Sequence, residues 1–348
     1  GSHMQRQRPP SRAGGDMDRL QSALALYEEA MGYTYAAALR AAAAVGVADH
    51  LVDGPRTPAE LAAATGTDAD ALRRVLRLLA VRDVVRESDG RFALTDKGAA
   101  LRSDSPVPAR AGILMFTDTM FWTMSHRVAS ALGPERPAFA DIFGSSLDAY
   151  FDGDAEVEAL YYEGMETVSA AEHLILARAG DFPATGTVAD VGGGRGGFLL
   201  TVLREHPGLQ GVLLDRAEVV ARHRLDAPDV AGRWKVVEGD FLREVPHADV
   251  HVLKRILHNW GDEDSVRILT NCRRVMPAHG RVLVIDAVVP EGNDAHQSKE
   301  MDFMMLAART GQERTAAELE PLFTAAGLRL DRVVGTSSVM SIAVGVPA

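Results

Sequence analysis

The segment VADVGGGRGGFLL, residues 188–200, combines an acidic residue with a run of glycines in a way that suits ligand binding. Asp190 lies near the end of an apolar run, the glycines follow, and a second apolar run begins at Phe198. This order predicts a buried strand, a tight turn and the start of a helix. Glycines at such a turn let a ligand contact backbone N–H groups directly.

Two ligand classes compete for this turn. Gly192, Gly194 and Gly197 fit the dinucleotide pattern G-x-G-x-x-G. With Asp190 in front and Gly196 as the third glycine, the segment also fits an acidic-x-G-x-G-x-G pattern, which suits S-adenosylmethionine (SAM). A carboxylate at the strand end repels a pyrophosphate but attracts the amine and sulfonium of SAM. Asp190 therefore favours SAM over a nicotinamide dinucleotide.

Two more acidic residues follow later apolar runs. Asp215 ends QGVLLD, about 20 residues beyond the glycines, where a ribose-binding carboxylate is expected. Asp240 and Phe241 follow KVVEG, and an acid beside an aromatic ring can bind an adenine amine and cover the base. A single acid in such a place is as readily a helix cap or a turn residue. Acids at three successive strand ends point instead to a nucleoside ligand.

A histidine follows the next apolar run, in ADVHVLKRILHNW. Lys254 ends this run, and His258 comes four residues later, where it can act as a general base near neutral pH or serve only as a structural residue. Asp286, at the end of VLVID, and Glu313, just before a predicted helix, are the candidates to flank it. A carboxylate beside the ring would orient it and stabilise the imidazolium.

The elements that must hold these residues are strands that alternate with helices. The predicted strands lie within residues 188–191, 210–215, 235–242, 248–254 and 280–290. Such alternation predicts an α/β fold with a doubly wound, Rossmann-like parallel sheet. Ligands bind at the carboxyl ends of the strands in these sheets, where the candidate residues fall.

Composition limits the class of protein. The chain has 348 residues, 47% hydrophobic and 24% charged, with a net charge of −11 and a single cysteine. These values predict a globular protein of more than one domain and exclude a disulfide framework or a zinc–cysteine cluster. The negative charge argues against nucleic acid or an anionic membrane as partner. No signal peptide or transmembrane segment is found, so a cytoplasmic protein is expected. Residues 1–15, which begin with an expression-tag remnant, are predicted to form a disordered arm.

Residues 16–105 are rich in predicted helix and end in a winged helix-turn-helix pattern. Thr57 and Glu60 form a capping-box pair at one helix start, and a second helix begins at about Asp68. The segments VVRE and RFAL, joined by Ser-Asp-Gly, predict a hairpin.

This pattern supports two interpretations. The second helix carries Arg73, Arg74 and Arg77, which could contact DNA phosphates. The same fold also serves as a dimerisation module, and the acidic charge of the whole chain favours that interpretation.

Residues 106–180 are predicted to form a helical linker that also lines a substrate pocket, and residues 181–348 the SAM-binding catalytic domain. The linker has many large apolar side chains, and most of these belong to a core. Methionine and aromatic residues between two domains also suit a planar apolar ligand. The candidate substrate contacts, two of them from a later helix, are Phe116, Met120, Trp122, Met165, Met301 and Met305.

From about Leu20 onwards, the chain resembles the SAM-dependent small-molecule O-methyltransferases of the plant caffeic-acid type and their bacterial polyketide-pathway relatives. The matching segments are VADVGGGRGG, LLDRAEVV, GDFLREVPHADVHVLKRILHNWGDED, VLVIDAVVPEG and MDFMMLAARTGQERTAAEL. The resemblance implies a class I methyltransferase fold whose winged-helix domain forms a homodimer. It also implies SAM as the cofactor, with no metal.

The resemblance also implies a role for each matching residue. Gly192 and Gly194, after Asp190, support the methionine portion of SAM, and Asp215 binds the ribose. Asp240 and Phe241 bind adenine, and Lys254 lies near the SAM carboxylate.

His258 is the implied base, with Asp286 and Glu313 beside it. The chain has Asn259 where the family often has Asp, and Asp286 where it often has Glu. The shorter side chain of Asp286 leaves its contact with His258 in doubt.

The sequence therefore predicts a homodimeric enzyme that methylates a phenolic hydroxyl of a small aromatic compound, such as a polyketide-derived acid, in natural-product biosynthesis. Three alternatives stay open. One is a decarboxylase or hydroxylase that uses SAM on the same fold. Another is a winged-helix DNA-binding regulator with a SAM-sensing domain. The third, an NAD-dependent oxidoreductase, is disfavoured by Asp190 and Asp240.

Overall fold

A computed structural model describes residues 12–134, 154–308 and 311–348. A disordered arm was predicted for residues 1–15. Residues 1–11 of this arm lie outside the described residues, and residues 12–15 form the first turn of a helix instead. The helix extends to this point because the apolar residues that follow recur at helical spacing. The chain divides into two compact units, and the boundary along the chain lies between Asp118 and Thr119.

In the first unit the elements are α1 (Arg12–Ala30), α2 (Tyr33–Val45), α3 (Pro58–Thr65), α4 (Ala69–Ala80), β1 (Val85–Ser88), β2 (Arg91–Leu94) and α5 (Arg110–Phe116). This unit confirms the predicted winged helix-turn-helix. Thr57 and Glu60 form the reciprocal capping box of α3, and Asp68 accepts a hydrogen bond from the N–H of Ala71 at the start of α4. β1 and β2 pair as an antiparallel hairpin.

The first unit is longer than the predicted boundary at residue 105, because α5 belongs to it. The Arg40 guanidinium in α2 donates hydrogen bonds to the carbonyl of Leu114 at 2.9 Å and to the Thr117 hydroxyl at 3.0 Å. These bonds satisfy the C-terminal end of α5 and attach that helix to α2.

The second unit contains α6 (Thr119–His126), α7 (Ala155–Ala179), β3 (Gly186–Val191), α8 (Gly197–Glu205), β4 (Leu209–Asp215), α9 (Ala217–Val220), β5 (Trp234–Glu238), β6 (Val250–Lys254), α10 (Asp262–Arg274), β7 (Arg281–Asp286), α11 (Gln297–Ala308), α12 (Ala316–Ala325), β8 (Leu328–Gly335) and β9 (Ser341–Pro347). Across the described residues of both units, no helix combines the length and apolar character that a bilayer crossing requires.

The second unit is built on a seven-stranded sheet with the order β5-β4-β3-β6-β7-β9-β8. The five strands β3 to β7 are parallel, as predicted, and β8 and β9 add an antiparallel edge that the sequence patterns did not predict. The strand order reverses between β3 and β6. A crevice opens at such a reversal, at the carboxyl ends of the strands.

Side-chain alternation along the strands separates two apolar cores, one on each face of the sheet. Val188, Val252 and Leu283 belong to one core, whereas Ala189 and Val284 belong to the other. All are essentially inaccessible to solvent. Burial on both faces explains why the central strands are continuous apolar runs rather than alternating ones.

We expect Phe323→Ala to lower the free energy of unfolding by about 3–5 kcal/mol, because this α12 side chain is fully buried in one core and truncation leaves a cavity. Denaturant unfolding of the full chain measures the change. The matched control is Phe303→Ala in α11, whose side chain is 42% exposed, and its effect should be within about 1 kcal/mol. Equal losses in the two variants would contradict the assignment of Phe323 to the core.

Candidate active site

A cavity of about 620 Å³ lies in the second unit where β3 and β6 end. Its walls come from α7, the glycine turn after β3, the start of α8, the loop that follows α9, and the segment that follows β6. Its volume and position are those of a small-molecule or cofactor site in a doubly wound fold.

The glycine turn needs residues without side chains for two reasons. Gly192, Gly194 and Gly196 have φ values of +68°, +62° and +87°, a region that strains other residues. Space is also short, since a Cβ atom on Gly192 would lie 2.6 Å from Ile256 Cδ1, and one on Gly193 would lie 2.4 Å from Asp190 Cγ. The turn therefore brings bare backbone to the cavity wall, as the motif predicts.

Asp190 is 2% exposed, and neither of its carboxylate oxygens has a hydrogen-bond partner among the described residues. Burial raises the pKa of Asp190 to about 7, and the nearby Lys254 ammonium opposes that rise. Burial, followed by repulsion from Arg255, lowers the pKa of Lys254 to about 8. Both side chains line the cavity, so they present a carboxylate and an ammonium to a zwitterionic ligand.

Asp215 ends β4, which pairs with β3, and Asp240 lies just beyond the end of β5, which pairs with β4. Asp215 Oδ2 accepts the N–H of Gly194 at 2.9 Å, which links the second acid to the glycine turn. Asp240 lies in the loop past β5, because that strand ends at Glu238 rather than at the predicted residue 242. A Cβ atom on Gly192 would lie 3.4 Å from the ring of Phe241, so this ring also borders the turn.

The contribution of α7 to this cavity was not predicted from the sequence. Tyr162, Glu166, Ser169 and His173 recur every three or four residues and line one wall. That spacing is the signal that could have revealed them, since it puts one polar face on a largely apolar helix. Burial, followed by repulsion from Lys254 and Arg255, lowers the pKa of His173 to about 3, so its ring is neutral.

Arg255 is a second feature that was missed. Its φ of +55° is rare for a residue with a side chain. Its guanidinium donates to both carboxylate oxygens of the buried Glu172, at 2.8 and 3.0 Å, and its backbone N–H donates to Ile285 at 2.9 Å. This residue therefore connects α7 to the segment between Lys254 and His258.

His258 lies in a short 3₁₀ turn after β6, and its ring is flanked by the two predicted carboxylates. Its Nδ1 is 2.7 Å from Oε1 of Glu313 and 3.8 Å from Oδ1 of Asp286. The contact with Glu313 is a strong hydrogen bond. The contact with Asp286 is close enough for an ion pair but too long for a hydrogen bond. The shorter Asp286 side chain therefore lies beside His258 without a hydrogen bond to its ring. Glu313 makes the direct hydrogen bond.

The ionisation of this trio depends on burial and mutual attraction. Burial favours a neutral His258, but the hydrogen bond that its ring donates to Glu313 and the charges of both carboxylates prevail and raise the pKa of His258. Burial raises the pKa of Asp286 to about 7, and the His258 ring opposes that rise. A histidine with this environment can accept a proton near neutral pH.

The loop before α12 holds Glu313 against His258. The N–H of Gln312 donates to the His258 carbonyl at 2.9 Å, and the N–H of Glu313 donates to Asp302 at 2.9 Å. Arg314 donates to the Leu257 carbonyl at 2.9 Å. These three hydrogen bonds hold the loop, and with it Glu313, in place beside His258.

The predicted substrate residues are spread over several helices, whereas the predicted cofactor residues lie at neighbouring strand ends. Met120 is buried in a small cluster with Met124 and Ala307. Met301 and Met305 lie four residues apart on α11, where Met301 packs against one core and Met305 is 7% exposed.

Two of the remaining candidates lie in the second unit, where Trp122 is half-buried on α6 and Met165 is exposed on α7. Phe116 ends α5 in the first unit and is 39% exposed. None of the six residues lines the 620 Å³ cavity, and their substrate role stays a prediction.

Comparison with known proteins defines the class. Residues 125–329 match the family model of the O-methyltransferase domain, and residues 27–104 match that of the O-methyltransferase dimerisation domain. The chain belongs to the SAM-dependent small-molecule O-methyltransferases, which confirms the fold and the cofactor predicted from sequence.

Individual relatives are bacterial enzymes of natural-product biosynthesis. The phenazine O-methyltransferase PhzM of Lysobacter antibioticus is 38% identical over 89% of this chain and 92% of its own length. The 2,7-dihydroxy-5-methyl-1-naphthoate 7-O-methyltransferase of Streptomyces carzinostaticus is 36% identical over 84% of this chain and 88% of its own length. The structure of the mitomycin 7-O-methyltransferase MmcR superposes with a TM-score of 0.77 at 31% identity, over 96% of this chain and all of that one.

We expect Asp190→Asn to stabilise the protein at pH 8. The folded pKa of Asp190, about 7, lies above that of an unfolded aspartate, so its contribution to stability falls as the pH rises from about 4 through 7. Asparagine has no charge to bury. Thermal unfolding at pH 8 and at pH 4 should therefore give a higher Tm for the variant only at the higher pH.

The matched control for this experiment is Asp240→Asn, which removes a carboxylate that is exposed. Its Tm should differ little from that of the parent at either pH. A lower Tm for Asp190→Asn at pH 8 would contradict the inference that burial of the ionised Asp190 carboxylate is destabilising.

Proposed function

We propose that this enzyme methylates a phenolic hydroxyl of a small aromatic acid, with His258 as the general base. The observation that carries the proposal is the hydrogen bond between Nδ1 of His258 and buried Glu313. A carboxylate that accepts the Nδ1 proton fixes the tautomer in which Nε2 has a lone pair. That lone pair can accept the proton that a phenol loses.

The residues that line the cavity, and three residues at neighbouring strand ends that do not line it, fit SAM. The unpaired carboxylate oxygens of Asp190 offer acceptors for an ammonium, and the Lys254 ammonium offers a partner for a carboxylate. Asp215 follows the glycine turn by about 20 residues, the sequence spacing expected of a carboxylate that binds a ribose. Asp240 and Phe241 suit an adenine, since one can accept a hydrogen bond and the other can cover a ring. When bound, SAM supplies an electrophilic methyl group.

The base acts in concert with methyl transfer. Complete proton transfer from a phenol of pKa about 10 to a histidine of pKa about 6.5 would require roughly 5 kcal/mol before any bond to carbon forms. His258 avoids most of this requirement if Nε2 takes the proton while the phenol oxygen bonds the methyl carbon and the carbon–sulfur bond breaks. The raised pKa of His258 reduces the remaining difference.

The acceptor class rests on relatives. One relative acts on a dihydroxynaphthoate, and another is named for a phenazine. Both names describe planar aromatic compounds, so we propose an acceptor of that shape that carries a hydroxyl group.

Mass spectrometry of products tests this function. The full chain is incubated with SAM and a panel of hydroxylated aromatic acids and phenols, and a mass gain of one methyl group together with S-adenosylhomocysteine is the expected result. Loss of carbon dioxide or gain of oxygen without methylation would favour the decarboxylase or hydroxylase alternative instead.

We expect His258→Ala to lower kcat by about 10²–10⁴, the usual contribution of a positioned base. The dissociation constant of SAM should barely change, because His258 is not among the residues that line the cofactor cavity. Glu313→Gln should lower kcat less, by about tenfold, since Glu313 acts only through the ring. Steady-state kinetics and calorimetry provide the two readouts.

Acceptor acidity is the internal control for this prediction. A phenol with electron-withdrawing substituents needs less help in losing its proton, so the defect of His258→Ala should shrink with such an acceptor. Near-full kcat on a phenol of ordinary acidity would remove His258 as the base and leave proximity as the source of the rate.

We expect Asp215→Ala to weaken SAM binding by about 1.5–3 kcal/mol, the scale of a hydrogen bond to a charged group. Isothermal titration calorimetry with SAM or S-adenosylhomocysteine measures this change. Asp226→Ala is the matched control, because the Asp226 side chain is 80% exposed and follows the same strand in sequence. Equal affinities for the two variants would exclude Asp215 from the site.

We also propose that the enzyme is a homodimer that uses its winged-helix unit for assembly rather than for DNA. The arginines of α4 are partly neutralised, since Asp70 lies 2.7 Å from Arg73 and 3.9 Å from Arg74. Four large apolar residues recur on one side of α1 with more than half of their surface exposed: Met17, Leu20, Leu24 and Tyr27. An apolar stripe of this kind suits a partner helix.

We expect Leu24→Asp to shift the dimer toward monomer, because it puts a charge into that stripe. Sedimentation or light scattering of the full chain measures the change. Ser22→Asp adds the same charge two residues earlier, about 200° around the helix, and should leave the dimer intact. A parent chain that is monomeric, or that binds duplex DNA in a salt-resistant and sequence-specific manner, would contradict this proposal.

A further inference from the structure

Each of the two carboxylates beside His258 has one oxygen that makes no hydrogen bond to the described residues. Oδ1 of Asp286 and Oε2 of Glu313 are buried and have no hydrogen-bond partner among the described residues. Asp286 is 5% exposed and Glu313 is 2% exposed. Buried carboxylate oxygens without partners are unfavourable, because nothing replaces the water they lose.

The side chains of His258, Asp286 and Glu313 together offer the donor atoms of a metal site. One nitrogen of His258 and one oxygen each from Asp286 and Glu313 lie within 4.8 Å of one another. Four-coordinate Zn²⁺ with bonds of about 2.0–2.2 Å has ligand atoms roughly 3.3 Å apart. The observed contacts of His258 Nδ1, 2.7 Å to Glu313 and 3.8 Å to Asp286, lie on either side of that value. Small side-chain movements would therefore complete three ligand positions.

The charges of the trio also favour a divalent cation. With both carboxylates ionised, a singly charged imidazolium leaves one negative charge uncompensated within the trio. A divalent cation balances both carboxylates. Among protein side chains, imidazole and carboxylate are ligands that Zn²⁺ binds readily. Mg²⁺ demands octahedral oxygen ligands and keeps its water, so it does not suit this site.

We propose that the trio of His258, Asp286 and Glu313 is an inhibitory site for Zn²⁺. Zn²⁺ on Nδ1 takes the place of the proton that His258 shares with Glu313, and that proton moves through solvent to Nε2, so the ring stays neutral with a single proton. Nε2 then has no lone pair to accept a phenol proton. Inhibition therefore rests on the proposed function of His258, whereas binding of the metal does not.

Metal binding is measured first, on the full-length protein, with Zn²⁺ in competition with a chromogenic chelator and with Co²⁺ as a spectroscopic substitute. One equivalent of metal and a four-coordinate Co²⁺ absorption spectrum are expected. Asp286→Asn and Glu313→Gln should each weaken binding by at least about tenfold, since even groups behind a ligand contribute that much. Circular dichroism establishes that each variant is folded, and either folded variant alone is sufficient for the test.

The matched control removes another histidine–carboxylate pair. His279 lies 2.7 Å from Asp249 and is 73% exposed, far along the sheet from the trio at the opposite strand ends. His279→Ala should leave metal affinity and basal activity unchanged. Loss of the metal in this variant, or unchanged affinity in a folded Asp286→Asn or Glu313→Gln variant, would overturn the proposal.

Turnover provides the second arm. Micromolar Zn²⁺ should inhibit methyl transfer, Mg²⁺ at the same concentration should not, and a chelator should restore the rate. Zn²⁺ bound at the trio with undiminished turnover would overturn the inhibitory role. If no acceptor is methylated at all, the proposed function fails, while the binding measurements still decide whether the trio holds Zn²⁺.

Discussion

The burial of ionisable side chains at the ends of adjacent parallel strands is the constraint on which the rest of this structure depends. Asp190, Lys254 and Asp286 lie at the ends of β3, β6 and β7, which are neighbours in the sheet. A sheet covered on both faces offers these groups little water, so each relies on nearby opposite charge. Burial brings the pKa values of Asp190 and Lys254 to about 7 and about 8. Groups balanced so close to neutrality respond strongly to a charged ligand.

The same constraint accounts for the strained backbone at Arg255. A left-handed conformation at a residue with a side chain is unfavourable by about 1–3 kcal/mol and persists only where its surroundings require it. Here the partly buried Arg255 pairs with the buried Glu172, and the Arg255 backbone N–H donates to the Ile285 carbonyl. Loss of either partner would leave an isolated charge in the interior. The ion pair therefore supports the bend between Lys254, which lines the cavity, and His258, which lies beside the two carboxylates.

Local patterns predict much of this architecture because they encode local chemistry. The five parallel strands, the glycine turn and the capping box of Thr57 with Glu60 each depend on residues that are close in sequence, and each is found as predicted. The long-range features were not predicted. The pair of Arg255 with Glu172 joins residues 83 positions apart, and the antiparallel edge depends on how β9 pairs with β7. Nothing in a local pattern specifies such partners.

The arrangement around His258 shows why the weaker contact with Asp286 is useful. A general base must attract a proton during the reaction, yet it must be unprotonated beforehand. The hydrogen bond to Glu313 already raises the pKa of His258 above its ordinary value. A second direct hydrogen bond would stabilise the imidazolium further and leave less of the free base at neutral pH. Asp286, at 3.8 Å, attracts the developing positive charge without that hydrogen bond. With His258 in its proposed role as the base, the shorter side chain of Asp286 therefore favours the unprotonated form that must accept the proton.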